Sequence, residues 1–154
     1  MKKINALVFA VLIIVCAFPR NSLSADDAEN LVLGNHVLTL QWLSFHKGIG
    51  KATIYKKGGK IFIEGCQKEN YEGHLNYMSI QGTIRIISPS ELEFEGKIIT
   101  KINDINSGVP YERNGKFLLK ARGSRKYWRM QNMEQPDGNF TVTDYIDIFF
   151  EKYR

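Results

Sequence analysis

Apolar and polar residues alternate along most of the chain in short runs, which Gly, Asn or Pro interrupts every eight to twelve residues. Runs of this kind, rich in Ile, Phe, Tyr and Thr, are typical of β-strands joined by turns. The predicted strands cover residues 37–45, 51–56, 60–66, 75–87, 91–102, 109–113, 116–122, 125–131 and 141–151. The predicted loops are 67–73, 103–108 and 134–139, and residues 26–33 form either one short helical turn or a disordered lead-in.

Short turns join these strands. Gly58-Gly59 and Asn114-Gly115 are two-residue hairpin signals, because residues of these types tolerate the positive φ that such turns require. We therefore expect consecutive strands to pair in an antiparallel meander of eight or nine strands. Gly82 and Gly96 fall on the inward phase of their strands, where glycine often marks a bend in a closing barrel. The predicted fold is an all-β, up-and-down barrel, with a two-sheet sandwich as the alternative.

The strand number and size of this meander resemble those of small calycin-type barrels, such as lipocalins and streptavidin. The lipocalin signature Gly-x-Trp is absent from the first strand, since Gly34 and Trp42 are eight residues apart. The resemblance is therefore one of architecture, and it assigns the chain to no family. It implies a barrel interior that is either filled by side chains or open to one small ligand.

The first 25 residues have the pattern of a secretory signal peptide. Two lysines precede an uninterrupted apolar run over residues 6–18, and small residues precede the preferred cleavage site after Ala25. This run is shorter than the roughly 20 apolar residues that cross a bilayer as a helix. Anchoring as a lipoprotein through Cys16 is disfavoured, because Val15 is bulkier than the residue usual before a lipidated cysteine. We assign residues 1–25 to a signal peptide and 26–154 to a single all-β domain.

Removal of this segment changes the charge and the cysteine count. The whole chain has 21 Lys plus Arg and 16 Asp plus Glu, a net charge of +5, and the segment removes three of the cations. Residues 26–154 therefore carry only +2, which argues against a nucleic-acid partner. Cys66 remains as a single thiol, which permits a disulfide-linked dimer. We expect a periplasmic or secreted bacterial protein whose mature part has no transmembrane segment.

Positive charge is concentrated in residues 113–133, which contain seven basic residues and no acidic one. A hairpin that turns at Gly123-Ser124 places Leu119 opposite Trp128, and its outer face collects Lys120, Arg122, Arg125, Tyr127 and Arg129. We call these five residues the basic face. Arginine binds phosphate or carboxylate through two parallel hydrogen bonds, so the basic face is a candidate anion site.

The alternative is a solvated face whose charges are neutralised by neighbouring carboxylates. Asp147 and Glu151 share one face of the closing strand and are expected to lie beside Arg129. Glu91, Glu93 and Glu95 also alternate along one strand face. We interpret that row as solvated surface opposite Arg85, because glutamates on the polar side of an amphipathic strand rarely form a catalytic pair.

The sequence predicts no metal site, no cofactor and no catalytic centre. His36, His46, His74 and Cys66 do not have the fixed spacings of metal ligands. No local arrangement of nucleophile and base surrounds the cysteine. A buried, inert thiol is the favoured interpretation of Cys66.

These patterns favour an exported binding module over an enzyme. Trp42 and Trp128 are expected to line a barrel mouth that holds a small apolar or amphipathic ligand, with its anionic end on the basic face. The alternative is a protein–protein module, such as an inhibitor of an envelope-targeting enzyme, that uses loops 67–73 or 103–108. An internal cavity would favour the small ligand, and a filled barrel with a protruding loop would favour the protein partner.

Overall fold

The computed structural model describes residues 25–43 and 49–152. The predicted signal peptide lies outside the described residues except for Ala25, and so do His46 and the other residues between 44 and 48. The helix is α1, Ala25–Val32. The strands are β1 Gly34–Leu40, β2 Gly50–Lys57, β3 Lys60–Tyr71, β4 His74–Ser88, β5 Glu91–Lys101, β6 Tyr111–Lys120, β7 Tyr127–Met130, β8 Glu134–Asp137, β9 Phe140–Thr143 and β10 Ile146–Lys152.

Eight of the described strands close into one antiparallel barrel. Strands β1 to β7 pair in chain order, β7 pairs with β10, and β10 pairs with β1 to close the sheet. This arrangement confirms the predicted up-and-down barrel over the two-sheet sandwich. Strands β8 and β9 form a separate hairpin between β7 and β10.

The connections give the barrel two different ends. The end that carries α1, which we call the helix end, has two-residue turns at Gly58-Gly59 and Pro89-Ser90 and the connection 121–126. The opposite end, the loop end, carries the β1–β2 connection, the turn at Glu72-Gly73, residues 102–110 and the β8–β9 hairpin. Both Gly58 and Gly59 have positive φ, which confirms the first predicted hairpin.

Inward-facing side chains fill the described barrel. The core includes Leu38, Leu40, Ile54, Ile63, Met78, Ile80, Leu92, Phe94, Ile98, Leu119, Trp128 and Ile148, each no more than 2% exposed. They follow the period of two read from the sequence. Burial of a side chain of this size contributes roughly 1.5–3 kcal/mol, so this core supplies the main stabilisation of the barrel.

Gly82 and Gly96 face each other across β4 and β5. A Cβ atom on Gly82 would lie 2.3 Å from the carbonyl oxygen of Glu95 and 2.6 Å from the ring of Phe94. A Cβ atom on Gly96 would meet the same ring at 2.8 Å. The inward phase predicted for both glycines is confirmed, and its physical reason is the close approach of the two backbones beneath Phe94.

Helix α1 packs across the helix end. Ala28 and Val32 are buried against the barrel, and Lys56 of β2 pairs with Glu29 at 2.8 Å. The imidazole of His36, which is fully buried, lies with Nε2 2.8 Å from the carbonyl oxygen of Val32 and Nδ1 2.8 Å from that of Phe149. His36 therefore joins the end of the helix to the closing strand.

The predicted loop at 67–73 is wrong, because β3 continues to Tyr71 and only Glu72 and Gly73 form the turn. The inward positions of this part of β3 are Gln67 and Glu69, which are both buried although polar. The Gln67 side chain accepts a hydrogen bond from the backbone N–H of Leu40 at 2.7 Å. Because the inward residues here are polar, the sequence lacks the alternation of apolar and polar residues by which a strand is recognised.

The predicted hairpin at Asn114-Gly115 is also wrong. Strand β6 runs without interruption through both residues, which pair with Lys97 and Gly96 of β5. A type I′ turn needs positive φ at both central residues, and Asn114 does not have it. The continuous ladder with the long strand β5 satisfies these backbone groups, so the local turn preference is overridden.

Two further boundaries differ from the prediction near the C-terminal end. The predicted loop 134–139 contains β8 and the turn to β9, and the predicted closing strand 141–151 is divided into β9 and β10. Asp144 and Tyr145 separate the two strands. The break allows the side chain of Asp144 to become fully buried.

Candidate functional site

A buried polar network fixes the loops at the loop end. Its centre is Asp144, which is fully buried and accepts hydrogen bonds from four side chains. Arg113 donates from Nη2 at 2.9 Å, Thr100 from Oγ1 at 3.0 Å and Gln135 from Nε2 at 3.0 Å. Trp42 donates from its indole Nε1 at 2.9 Å. The network joins β5, β6, β8 and the end of β1 to one carboxylate.

Arg113 also ties down the connection between β7 and β8. Its Nη2 lies 3.2 Å from the carbonyl oxygen of Met133, and its guanidinium stacks 4.6 Å from the ring centre of Tyr111. The Arg113 and Asp144 side chains are only 7% and 0% exposed, so this ion pair is buried. A buried pair is stable only when further hydrogen bonds satisfy both partners, as they largely do here.

Two more contacts hold the rim of the loop end. The Asn76 side chain accepts from the backbone N–H of Asn103 at 2.8 Å, where the β5–β6 connection begins. The Asp137 carboxylate accepts from the backbone N–H of Asn106 at 2.9 Å, which attaches the β8–β9 hairpin to the same connection. The loops of this end are therefore held to one another as well as to the barrel.

Between these loops lies a pocket of about 420 Å³, which we call the mouth pocket. Its apolar and aromatic walls come from Trp42, Tyr71, Ile102, Ile105 and Val142, and its polar groups from Glu69, Asn76, Asp104 and Asp137. Three of the four polar residues are acidic. A pocket of this volume, with polar groups among apolar and aromatic walls, is large enough for a small ligand.

Glu69 is the unusual member of the mouth pocket. Its side chain is on the inward phase of β3, and the residue is only 7% exposed. Within the part of the chain that the structure describes, neither carboxylate oxygen has a hydrogen-bond partner. Burial of a carboxyl group without a hydrogen-bond partner is unfavourable for folding, which makes Glu69 a candidate binding residue.

The rim of the mouth pocket is electrically negative. The pKa of the Tyr71 phenol is raised, first by the charge of Glu72 and its hydrogen bond, and then by partial burial and the charge of Asp104. A raised phenol pKa means that a second negative charge is disfavoured at this position. The same field would attract a positively charged group.

The structure places the two tryptophans at opposite ends of the barrel. Trp42 lines the mouth pocket at the loop end, half-buried. Trp128 is fully buried, donates from Nε1 to the carbonyl oxygen of Pro89 at 3.0 Å, and packs against His36 and Phe150 at the helix end. The expectation that both indoles line one mouth is therefore wrong, because the meander brings the end of β1 and the start of β7 to different ends.

The basic face exists, but two of its four cations are paired with carboxylates. Lys120 pairs with Glu91 at 3.2 Å. Arg129 donates to both oxygens of Asp147 at 2.7 Å, as the solvated-face alternative predicts, and this hydrogen bond is the main cause of its raised pKa. The Arg129 guanidinium also lies over the Tyr127 and Tyr145 rings.

Arg122 and Arg125 remain on the exposed part of the basic face. Arg122 donates to the side chain of Gln131 at 3.3 Å, and Arg125 lies 5.7 Å from the ring centre of Tyr127. The predicted register of this hairpin is displaced by two residues, because Leu119 pairs with Met130 and not with Trp128. A shift of two preserves the faces, so the apolar and basic sides are as predicted.

The glutamate row is neutralised by basic neighbours. Glu93 pairs with Arg85 at 3.0 Å, as predicted, and Glu95 pairs with Lys116 at 3.5 Å. The hydrogen bond from Arg85 is the main cause of the lowered pKa of Glu93. Cys66 is exposed on the outward phase of β3, so the favoured buried thiol is wrong.

A second, larger recess lies at the helix end. This open cleft of about 900 Å³ is bounded by α1 and the adjoining ends of β3 and β4, and Ile61, Ile84, Ile86 and Pro89 supply apolar lining. Its charged residues are three cations and three glutamates: Lys60, Arg85, Lys116, Glu29, Glu93 and Glu95. We call it the helix-end cleft.

Sequence reasoning found Trp42 but missed Glu69, Arg113 and Asp144. One signal for Glu69 was present in the sequence. Glu69 has the same odd-numbered position in the strand period as the inward residues Ile61 and Ile63, which indicates that it also faces inward. Asp144 gave no comparable signal, because its four partners are 9 to 102 residues away in sequence. Within the described residues, no group of three or more His, Cys, Asp or Glu could hold a metal ion, and no helix is long and apolar enough to cross a membrane.

Comparison with known proteins gives a family. The model of the PM1083 family matches residues 20–150. A relative from Pasteurella multocida (strain Pm70), named uncharacterized protein PM1083, is 38% identical over 122 residues, which cover 79% of this chain and 75% of the relative. No solved structure matches the chain. The chain belongs to the PM1083 family.

Proposed function

We propose that this protein is an exported binding module, and not an enzyme, whose partner docks on the loop end of the barrel. Export is supported by the signal-peptide pattern of residues 1–25. The barrel provides a rigid support, and the longest connections between barrel strands are all at one end of it. Loops held by a rigid scaffold are the usual location of binding residues.

The observation that carries this proposal is the distribution of exposed apolar side chains. The described residues include eight large apolar side chains that are exposed, and six of these belong to the loop end. The six are Ile49, Tyr71, Leu75, Val109, Phe140 and Tyr145. Phe140 is 78% exposed beside the turn of the β8–β9 hairpin. Exposed apolar residues concentrated in one region are typical of interaction surfaces.

The filled interior favours a protein partner over a ligand held inside the barrel. The inward side chains occupy the described core, and the two large recesses are open and lie at its ends. A hairpin with an exposed aromatic side chain beside its turn suits insertion of that side chain into a partner's groove. Inhibition of an envelope-targeting enzyme is one role that fits an exported module of this shape.

The protein-partner proposal is tested in two steps. The full tagged chain is used to capture a binding partner from the envelope fraction of the protein's own host, and the affinity for the identified partner is then measured. Loss of a central interface aromatic typically weakens binding by at least about tenfold. We expect this loss for Phe140→Ser. The matched control is Ile87→Ser, an exposed apolar residue at the helix end, which should remain within about twofold of the parent chain. Equal effects of the two variants would refute docking at the loop end.

A second candidate function is the binding of an amphipathic anion at the helix end. The volume and apolar lining of the helix-end cleft favour it, and the exposed arginines Arg122 and Arg125 lie at the same end. The backbone N–H of Ala121 donates to the carbonyl oxygen of Ser90 at 2.8 Å, which places the basic hairpin beside the β4–β5 turn. Native mass spectrometry of protein purified from its own host tests this function. A bound lipid-like mass supports it, and a protein partner without any small molecule contradicts it.

A further inference from the structure

The mouth pocket contains a buried carboxyl group that the fold does not explain. Glu69 is more than nine-tenths buried, and both of its carboxylate oxygens lack a hydrogen-bond partner among the described residues. Buried polar groups are almost always hydrogen-bonded in native proteins. The neighbouring inward residue Gln67 follows that rule, since it binds the backbone of Leu40. Glu69 is therefore the exception in its own strand.

The surroundings of Glu69 select a positively charged occupant. Asp104 and Asp137 line the same pocket, and neither forms an ion pair within the described residues. The carboxylates of Glu72 and Asp104 lie close enough to Tyr71 to raise the pKa of its phenol. An anion would be repelled by all these groups, whereas a cation would satisfy the Glu69 carboxylate and gain from the field.

The walls suit an organic cation. Trp42 and Tyr71 present aromatic rings to the pocket, and aromatic faces attract ammonium and guanidinium groups. The indole of Trp42 is held in place by its hydrogen bond to Asp144, so one wall is preorganised. The three acidic residues of the pocket are not grouped closely enough to hold a metal ion, within the part of the chain that is described.

We propose that the mouth pocket binds one alkylammonium or guanidinium group, with Glu69 as its counter-ion and Trp42 and Tyr71 as its walls. The group has two possible sources: a free amine, or a Lys or Arg side chain of the protein partner. The second source rests on the proposed function, and the first does not.

The test uses the full mature chain and two probes, n-butylammonium and n-butylguanidinium, with 1-butanol as the neutral probe of the same shape. Binding is followed in ¹H–¹⁵N spectra through the indole N–H signals of the two tryptophans. The Trp42 signal should shift saturably with the cations, and the Trp128 signal, at the other end of the barrel, should not. Butanol should bind at least about tenfold more weakly, as expected for loss of a charge-assisted contact.

Substitution of Glu69 separates a binding role from a structural one. Glu69→Gln should weaken cation binding by at least about tenfold, whereas Glu72→Gln, on the exposed rim, should weaken it by less than about threefold. Glu69→Leu should abolish binding and raise the urea midpoint of unfolding, because it removes a buried polar group that has no hydrogen-bond partner. A structural carboxylate with a partner in the folded chain would instead give a lower midpoint.

The results overturn the proposal in four ways. The first is that neither cation shifts the Trp42 signal saturably, and the second is that butanol binds with the same affinity as the cations. The third is that Glu69→Gln binds the cations as tightly as the parent chain, and the fourth is that Glu69→Leu lowers the urea midpoint of unfolding. If the cations bind as expected, the source follows from the partner assay. A loss of partner affinity in Glu69→Gln assigns a side chain of the partner, and an unchanged partner affinity assigns a free amine. Failure of cation binding would leave the Phe140 test of the proposed function unaffected.

Discussion

Replacement of Asp144 by Ala should destabilise the barrel more than any substitution on its surface. The carboxylate is fully buried and accepts from Arg113, Thr100, Gln135 and Trp42. Its removal leaves the Arg113 guanidinium, whose side chain is 7% exposed, without a counter-ion. Arg113 retains the carbonyl oxygen of Met133, which offsets part of this loss.

The expected magnitude follows from the burial of the pair. Breaking a buried ion pair by removing one partner costs about 3–5 kcal/mol, out of a total stability of about 5–15 kcal/mol. We expect about 4 kcal/mol for Asp144→Ala, because the indole and amide donors also lose their acceptor. With a urea slope of about 2 kcal/mol/M, the midpoint of unfolding should fall by about 2 M.

Urea unfolding followed by tryptophan fluorescence measures this change, and a double-mutant cycle identifies its cause. Arg113→Met should also destabilise the fold, because it leaves the Asp144 carboxylate buried and unpaired. The double variant Arg113→Met/Asp144→Ala removes both charges, and its loss of stability should be smaller than the sum of the two single losses. The reasoning would be refuted if the losses of unfolding free energy in the two single variants added up to the loss in the double variant. A loss below about 1 kcal/mol in Asp144→Ala would refute it as well.

Four further variants test other parts of the account. Gly82→Ala should lower stability by about 1–3 kcal/mol, measured by urea unfolding, because its Cβ would lie 2.3 Å from the Glu95 carbonyl oxygen; an unchanged midpoint would contradict the close approach. Arg129→Met should lower the stability of the fold by about 1–3 kcal/mol, because it leaves the buried Asp147 carboxylate unpaired. Arg122→Glu with Arg125→Glu should change the stability by no more than about 0.5 kcal/mol and should abolish any anion binding. A large loss of stability in this double variant would show that the two arginines are structural. Glu72→Gln should lower the pKa of Tyr71, because the Glu72 charge and hydrogen bond raise it. The difference in phenolate absorbance between this variant and a Tyr71→Phe control reports that pKa. An unchanged pKa would contradict the negative potential inferred at the rim.

The faces of the strands were predictable because burial on one side of a sheet enforces a period of two. Ile84 and Phe94 show this period clearly, and the basic hairpin kept its faces although its register moved by two residues. The barrel followed from the same pattern, together with the short hairpins. These features depend on neighbouring residues and could be read locally.

The candidate site was hidden for a physical reason. A strand is recognised by apolar residues on its inward face, and the upper part of β3 has Gln67 and Glu69 there instead. The polar composition therefore predicted a loop where the structure has a strand that lines a pocket. Asp144 was missed because its partners come from distant parts of the chain, and no local pattern indicates such a network. Both failures fall at the loop end, where polar groups are buried at positions that apolar side chains usually occupy.

Hydrogen–deuterium exchange of the full mature chain, alone and bound to its captured partner, tests the central claim that the loop end is the binding face. The account predicts slower exchange in residues 68–76, 102–110 and 136–145, which form this end, and no change in residues 25–32 or 86–92. Slower exchange confined to the helix end, with the loop end unchanged, would contradict it.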